Sequence, residues 1–357
     1  MVAVKRWHHI ALGCLLWVAF AERQWAQSSA CGLTVDAGPD VVACAPAGQV
    51  TLLGQLTGPV LSFEWQPAAG LSDPYVLQPQ AFVSGPASWT LVATTLDLTA
   101  NAIANGDFEQ GNTGFTSDYN YNPSNLAFDG NYTVISSPSI VYANFPPCVD
   151  HTTGMGQMMV VNGGTTPGDR VWCQSVNVSP NTEYVFSAWV SNINPLLGLP
   201  ELQLQIDGQP VGGIFSPPAT PCNWVEWTQS WTSGSATTVE VCILSQSGAP
   251  FGNDFALDDL GLFPVCTVSD VVQADVVSVQ AVAPAVVFMP CSAQGGAGIV
   301  LDGSASSAGP HISYQWTTAD GAIVSGAGTA QVTVNEPGTY WLTITYDDGL
   351  TTCTAQA

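Results

Sequence analysis

The sequence predicts an all-β protein of three sandwiches, with a small sandwich on either side of a larger one. Short segments throughout the 357 residues alternate apolar and polar residues or are rich in β-branched and aromatic ones, residues 184–189 and 339–345 among them. The 35 glycines and 25 prolines separate these segments, as turns and strand edges require. Beyond residue 21, no stretch of about ten residues shows a helical stripe with capping residues.

The chain begins with the pattern of a secretory signal peptide. Lys5 and Arg6 precede an apolar run over residues 10–20, and the small residue Ala21 follows. The run is too short to span a bilayer. We therefore predict a signal peptide over residues 1–21, a linker over residues 22–30, and a secreted or cell-surface protein.

A repeat brackets the chain. Trp65 is followed after 24 positions by Trp89, and Trp316 after 24 positions by Tyr340, each time between strand-like segments. Equal spacing in two copies predicts two small sandwiches with Trp65 and Trp316 as core residues. Their predicted bounds are residues 31–100 and 267–357.

Particular motifs in these repeats resemble known modules. Residues 35–40 (VDAGPD) and 63–74 (FEWQPAAGLSDP) resemble the immunoglobulin-like or PKD-like repeats of large secreted surface proteins of Bacteroidota. Residues 301–306 (LDGSAS), 314–316 (YQW) and 336–340 (EPGTY) resemble a PKD domain more closely. The resemblance implies spacer or interaction modules, with neighbouring surface proteins as candidate partners.

Residues 101–266 form a different unit. It opens with residues 105–109 (NGDFE) and closes with residues 252–262 (GNDFALDDLGL). Together with the strand at 184–189, these ends resemble the galactose-binding-like jelly rolls that include carbohydrate-binding modules of families 4, 9 and 22. The resemblance implies a jelly-roll sandwich and a polysaccharide or other glycan as ligand.

The same resemblance implies a structural calcium ion as cofactor. Its ligands would be Glu109 or Asp107 from the opening motif and Asp258 or Asp259 from the closing one, and the sequence does not decide between them. Carboxylates on neighbouring first and last strands would repel each other unless they share such a cation. The alternative is that all four are solvated residues at turns and strand ends.

Aromatic and amide side chains supply what sugar binding needs. Aromatic faces stack on sugar C–H surfaces, and amides or carboxylates bond the hydroxyl groups. The candidate ligand contacts are Tyr119, Tyr121, Trp172 and Trp224, with His151 as a polar contact. Trp189 lies in an apolar strand and is predicted to be core. The alternative is that the aromatic residues are all core and that His151 is a solvated loop residue.

Nine cysteines follow residue 21, and after a signal peptide we expect disulfides rather than metal ligands. A bridge between Cys31 and Cys44 would pin the turn-rich residues 35–40, and one between Cys291 and Cys353 would staple the second repeat. Five cysteines of the middle segment leave the pairing open: Cys148, Cys173, Cys222, Cys242 and Cys266. Of these, Cys173 and Cys242 lie in strands that could be neighbours, and the odd total leaves one cysteine over.

Charge excludes several functions. The chain has 4 Lys+Arg against 27 Asp+Glu and a net charge of -23, and only Arg23 and Arg170 remain beyond the predicted signal peptide. Nucleic acids and anionic membranes need cations that this chain lacks. Lysine chemistry is excluded, and the two remaining histidines, His151 and His311, have no G-x-S-x-G nucleophile motif to serve.

The sequence thus predicts a non-catalytic, secreted protein whose middle sandwich binds carbohydrate between two spacer domains. A glycosidase built on Asp254, Asp258 and Asp259 is set aside, because the resemblance assigns this strand to architecture or calcium. Two alternatives stay open: a structural or adhesive surface protein without a sugar site, and the N-terminal accessory part of a larger extracellular hydrolase.

Overall fold

The computed structural model describes residues 27–194, 198–290, 296 and 298–357. Its regular elements are 24 strands and one short 3₁₀ helix, Pro138–Ile140, which confirms the all-β prediction. The described residues contain no helix that is long and apolar enough to cross a membrane. The predicted signal peptide, residues 1–21, lies outside the described residues.

The strands are, in chain order, β1 Gln27–Ala30, β2 Leu33–Asp36, β3 Val41–Cys44, β4 Gly48–Thr51, β5 Gln55–Thr57, β6 Ser62–Gln66, β7 Gln80–Val83, β8 Ala87–Leu96, β9 Asn120–Tyr121, β10 Asn131–Ile135, β11 Met158–Asn162, β12 Asp169–Asn177, β13 Glu183–Asn192, β14 Leu202–Ile206, β15 Gln209–Phe215, β16 Val225–Thr232, β17 Thr238–Ser245, β18 Phe255–Val277, β19 Ile299–Asp302, β20 Ile312–Thr318, β21 Ile323–Ser325, β22 Gln331–Val334, β23 Tyr340–Asp347 and β24 Thr352–Gln356.

The N-terminal sandwich includes part of a distant strand. Sheet β1-β2-β5 and the pair β4-β7 pack against strands β3, β6 and β8, and the second half of β18 pairs with both β3 and β8. Trp65 and Trp89 are buried in its core, as the repeat predicts for Trp65. The register runs from Val265 opposite Leu96 to Ala274 opposite Ala87, and alternate residues of this stretch are buried.

This sharing corrects the predicted domain bounds. The boundary at residue 266 is wrong, because β18 runs unbroken through it and residues 265–277 complete the N-terminal sandwich. The predicted linker is wrong over residues 27–30, which form β1 and pair with β2. Cys31 and Gly32 make the two-residue turn between them, both with positive φ, which suits a tight hairpin.

The middle domain is a sandwich of two sheets. One sheet has the order β16-β13-β18-β11-β10-β9, and the other the order β12-β17-β14-β15. Between them lies the largest core cluster, which includes Trp172, Phe186 and Trp227. The opening motif packs against the last strand, where the Leu260 amide donates to the Gly106 carbonyl at 2.9 Å.

The long loop between β10 and β11, residues 136–157, covers part of the outer face of the first sheet. Val141, Phe145 and Cys148 pack on Met158 and Val160 of β11 to form a second apolar cluster. The disulfide Cys148–Cys222 fixes this loop to the segment before β16. The loop therefore occupies surface that the bare sheet would leave open.

The C-terminal sandwich pairs sheet β19-β22-β21 with sheet β20-β23-β24. Trp316 is buried at its centre, as the repeat predicts, and donates its indole N–H to the Thr329 carbonyl at 3.1 Å. Residues 279–283 pack along the same core from the chain that follows β18.

The described residues form four disulfides, and one of them, Cys44–Cys353, joins two domains. The four bridges are Cys31–Cys266, Cys44–Cys353, Cys148–Cys222 and Cys173–Cys242. The Cys173–Cys242 bridge joins the neighbouring strands β12 and β17, which is one of the pairings that the sequence left open. A bridge between Cys31 and Cys44 is wrong, because the chain returns through β18 and brings Cys266 to Cys31.

Cys353 bonds Cys44, so the predicted partnership of Cys353 with Cys291 is wrong as well. Cys291 itself lies outside the described residues. The Thr351 hydroxyl donates to the Val42 carbonyl at 2.7 Å beside this bridge. The N-terminal and C-terminal sandwiches are therefore linked covalently to each other. They are not separate spacers at the two ends of the protein.

Candidate functional site

Two of the predicted ligand aromatics belong to the core. Trp172 is fully buried between the sheets of the middle domain, beside Phe115. Tyr119 is also buried, and its hydroxyl accepts a hydrogen bond from the Gly164 amide at 2.8 Å. Burial raises the pKa of Tyr119. Both predictions are wrong, because side chains enclosed in the core cannot meet a glycan.

Two others reach the surface at separate places. Tyr121 is 44% exposed on β9, at one edge of the first sheet. Trp224 is half-buried before β16, at the opposite edge, and its indole N–H donates to the Val149 carbonyl at 3.0 Å. They therefore do not contribute to a single site.

His151 lies beside the carboxylates of Asp258 and Asp259 on the outer face of the first sheet. Its ring stacks on Trp189 with centroids 3.7 Å apart, and its Nδ1 lies 2.6 Å from the Asp259 carboxylate. Trp189, predicted to be core, is instead half-buried beneath this ring. The Thr152 hydroxyl donates to the other Asp259 oxygen at 2.7 Å.

A β-bulge turns both carboxylates of the closing motif to the same side. Asp259 has a φ of 48°, and the register between β13 and β18 shifts at this point. Without a bulge, consecutive residues would face opposite sides of the sheet. The Asp258 carboxylate is consequently buried under the loop, where it accepts the His151 amide at 2.8 Å.

Burial raises the pKa of Asp258 to about 7, despite the amide donors that oppose the shift. Since this folded-state pKa exceeds the unfolded value, protonation favours folding, and that contribution is lost as pH rises from about 4 through 7. We expect the free energy of unfolding, measured with urea in EDTA buffer, to fall over this interval by roughly 2 kcal/mol more than in Asp258→Asn. Parallel pH profiles for the two proteins would contradict the shifted pKa.

The carboxylates proposed as calcium ligands are distributed over two places. Asp107 and Asp259 border one cavity of about 310 Å³. The Glu109 carboxylate accepts the Gln157 amide at 2.8 Å, and the Asp258 carboxylate accepts the His151 amide of the same loop. Among the described residues, no three of these four bring their oxygens within 4.8 Å of one another. The predicted pairing of one carboxylate from each motif is not tested by this, and calcium stays a prediction.

A cleft with different residues opens at one end of the first sheet. The pairing puts the end of β11, the end of β13 and the starts of β10 and β18 at this end. The cleft has a volume of about 390 Å³ and is lined by Ala127, Asp129, Tyr142, Asn144, Asn162, Asn194 and residues 250–254. The strand ends therefore collect amides, carboxylates and aromatic rings in one depression.

Hydrogen bonds fix the polar floor of this strand-end cleft. The buried Asp254 carboxylate accepts the Gly163 amide at 2.8 Å and the Asn194 side-chain amide at 2.5 Å. Asn253 donates to the Gly164 carbonyl at 2.8 Å, and Asn162 to the Leu126 carbonyl at 2.6 Å. These side chains are held in place before any ligand arrives.

The rim of the strand-end cleft is aromatic and exposed. Phe251 lines it and is 73% exposed, and Tyr142, which also lines it, is half-buried. Tyr142 accepts a hydrogen bond from the Asn144 side chain at 2.8 Å. The exposed Phe251 ring and the fixed amides give the cleft both an apolar and a polar surface for a ligand.

The strand-end cleft is electronegative. Burial raises the pKa of Asp254, and the nearby Asp129 carboxylate adds to the shift. Arg170 is the one lysine or arginine among the described residues, and it lies on β12 of the other sheet, 2.5 Å from Glu240. The sequence interpretation missed this site. The available signal was the amides at strand ends, at Asn162, Asn194 and Asn253.

Comparisons with known proteins give fold-level likenesses only. No protein-family pattern matches the chain, and no curated protein does. Among solved structures, a family 16 carbohydrate-binding module is 21% identical, with 45% of this chain and 99% of that one covered and a TM-score of 0.29. The CBM22-1 xylan-binding domain from Paenibacillus barcinonensis is 15% identical, with 44% and 91% covered and a TM-score of 0.31. A Stig cyclase from Fischerella sp. TAU is 11% identical, with 48% and 98% covered and a TM-score of 0.35.

Proposed function

We propose that this protein is a secreted, non-catalytic carbohydrate-binding protein whose glycan binds in the strand-end cleft. The observation that supports the proposal is the combination of hydrogen-bonded amides and the Asp254 carboxylate on its floor with the exposed Phe251 ring and Tyr142 on its rim. The four disulfides are consistent with an extracellular location.

The chemistry of the strand-end cleft suits a sugar. An asparagine side chain offers a donor and an acceptor at once, which matches the dual character of a sugar hydroxyl. The Phe251 ring is 73% exposed and offers an apolar face on which a pyranose can stack. A volume of about 390 Å³ lies in the usual range for small-ligand sites.

Glycoside hydrolysis is the function that the two carboxylates of the cleft would otherwise suggest, since such enzymes need a protonated acid and a second carboxylate. Asp254 has a raised pKa, as a general acid does. Both of its oxygens, however, accept hydrogen bonds from Gly163 and Asn194, so that it is held as an acceptor facing the protein. This supports binding without catalysis.

Affinity electrophoresis of the full chain against a panel of polysaccharides tests the proposal. We expect retardation by at least one polysaccharide, and a loss of about tenfold in affinity for Phe251→Ala, because the variant removes a stacking surface. Thermal stability should not change, since the ring is exposed. Phe82→Ala, an exposed ring on the N-terminal sandwich, is the matched control and should keep full affinity.

The alternative, a structural or adhesive protein without a sugar site, makes the opposite prediction. It gives no retardation in any gel. Equal loss of affinity in the Phe251 and Phe82 variants would also count against the strand-end cleft. The full chain is needed for these experiments, because β18 is one continuous strand that runs from the middle domain into the N-terminal sandwich.

A further inference from the structure

We infer that the strand-end cleft discriminates by charge: it accepts uncharged glycans and rejects those that carry carboxylate or sulfate groups. The inference rests on the proposed function and specifies the class of ligand that the same site takes. It is carried by the charge and hydrogen-bonding state of the lining residues rather than by their shape.

Every formal charge on the lining of the cleft is negative. Asp129 and Asp254 are its two ionisable carboxyl groups, and the other polar side chains are the neutral amides of asparagine and the hydroxyl of Tyr142. The two carboxylates lie close enough that Asp129 influences the ionisation of Asp254. A negative ligand would therefore enter a field of its own sign.

No cation of the described chain can compensate for this field. Arg170 is engaged with Glu240 and also donates to the sulfur atoms of Cys173 and Cys242, at 3.0 and 3.1 Å. These partners hold its side chain on the second sheet, whereas the strand-end cleft belongs to the first. The site therefore has no group of the kind that normally pairs with a uronate or a sulfate.

The two classes of sugar differ in what they can do with the carboxylates. A neutral sugar hydroxyl can donate a hydrogen bond to Asp129, and charge assistance makes such a bond strong. A uronate carboxylate has no proton to donate at neutral pH and would be desolvated beside a like charge. Like-charge contacts are a recognised means by which a site excludes the wrong partner.

Matched pairs of polymers test this inference with the full chain. The pairs are hydroxyethylcellulose with carboxymethylcellulose, methyl-esterified homogalacturonan with polygalacturonate, and propylene glycol alginate with alginate. We expect retardation only in gels of neutral polymers at low salt, and a smaller difference within each pair in concentrated salt. Equal or stronger retardation by an anionic polymer, abolished by Phe251→Ala, would overturn the inference while leaving carbohydrate binding in place.

A charge variant separates the local field of the cleft from the overall charge of the protein. Asp129→Asn should raise the ratio of affinity for an anionic polymer to that for its neutral counterpart by about fivefold, and less in concentrated salt. Glu183→Gln removes the same charge at the opposite end of β13 and should leave this ratio unchanged.

Equal ratios in the two variants would attribute the discrimination to the net charge of -23 and contradict a role for the cleft. Retardation by none of the six polymers, extended to a wider neutral panel with the same result, contradicts the proposed function itself. The two failures are thus distinguishable.

Discussion

Replacing Trp172 with alanine is expected to lower the free energy of unfolding of the middle domain by about 3–5 kcal/mol. The side chain is fully buried between the two sheets and lies against Phe115. The substitution removes this apolar area and leaves a cavity that rigid strands on both sides cannot fill. Urea unfolding followed by far-UV circular dichroism measures the change.

Trp172→Phe is the matched control. It retains an aromatic ring, and it removes an indole N–H that has no hydrogen-bond partner in the described structure. We therefore expect it to cost much less than the alanine variant. A Trp172→Ala protein with normal stability and no glycan affinity would instead favour the sequence interpretation of this residue as a ligand contact.

Removal of the Cys44–Cys353 disulfide is expected to have the second largest effect. In the double variant Cys44→Ser with Cys353→Ser, the C-terminal sandwich should unfold with about 2–4 kcal/mol less stability, because its end is no longer tied to the N-terminal sandwich. One hydroxyl contact, from Thr351 to Val42, would remain at this place.

Differential scanning calorimetry and small-angle X-ray scattering measure the two consequences. We expect an additional low-temperature transition and a larger radius of gyration in this variant. The double variant Cys173→Ser with Cys242→Ser is the control, because its bridge lies within one sheet and should not change the spacing of the domains. Peptide mapping that recovers Cys44 and Cys353 as free thiols in the wild type would contradict the disulfide between the two sandwiches.

The strand period and the repeat were sufficient to predict the fold class and the core positions of Trp65 and Trp316. Both depend on local alternation and on burial, which the sequence records directly. The predicted domain bounds were wrong because β18 is one continuous strand that belongs to two sandwiches. Nothing in the local pattern shows where a strand changes partners.

The candidate site was harder to predict, because it depends on convergence in three dimensions. Asn162, Asn194 and Asp254 are separated by up to 92 positions and meet only because their strands end at the same side of one sheet. The face of Asp259 could not be read from the period, since a bulge shifts it. Tyr119 and Trp172 looked like ligand contacts because composition does not distinguish a buried aromatic residue from an exposed one.

The most direct test of the central claim is a crystal structure of the full chain with an oligosaccharide from a polymer that retards it. We expect sugar density in the strand-end cleft, within hydrogen-bonding distance of Asp129 or Asn144 and in contact with the Phe251 ring. Sugar density elsewhere, at Tyr121, at Trp224 or on either flanking sandwich, with the strand-end cleft holding only solvent, would contradict it.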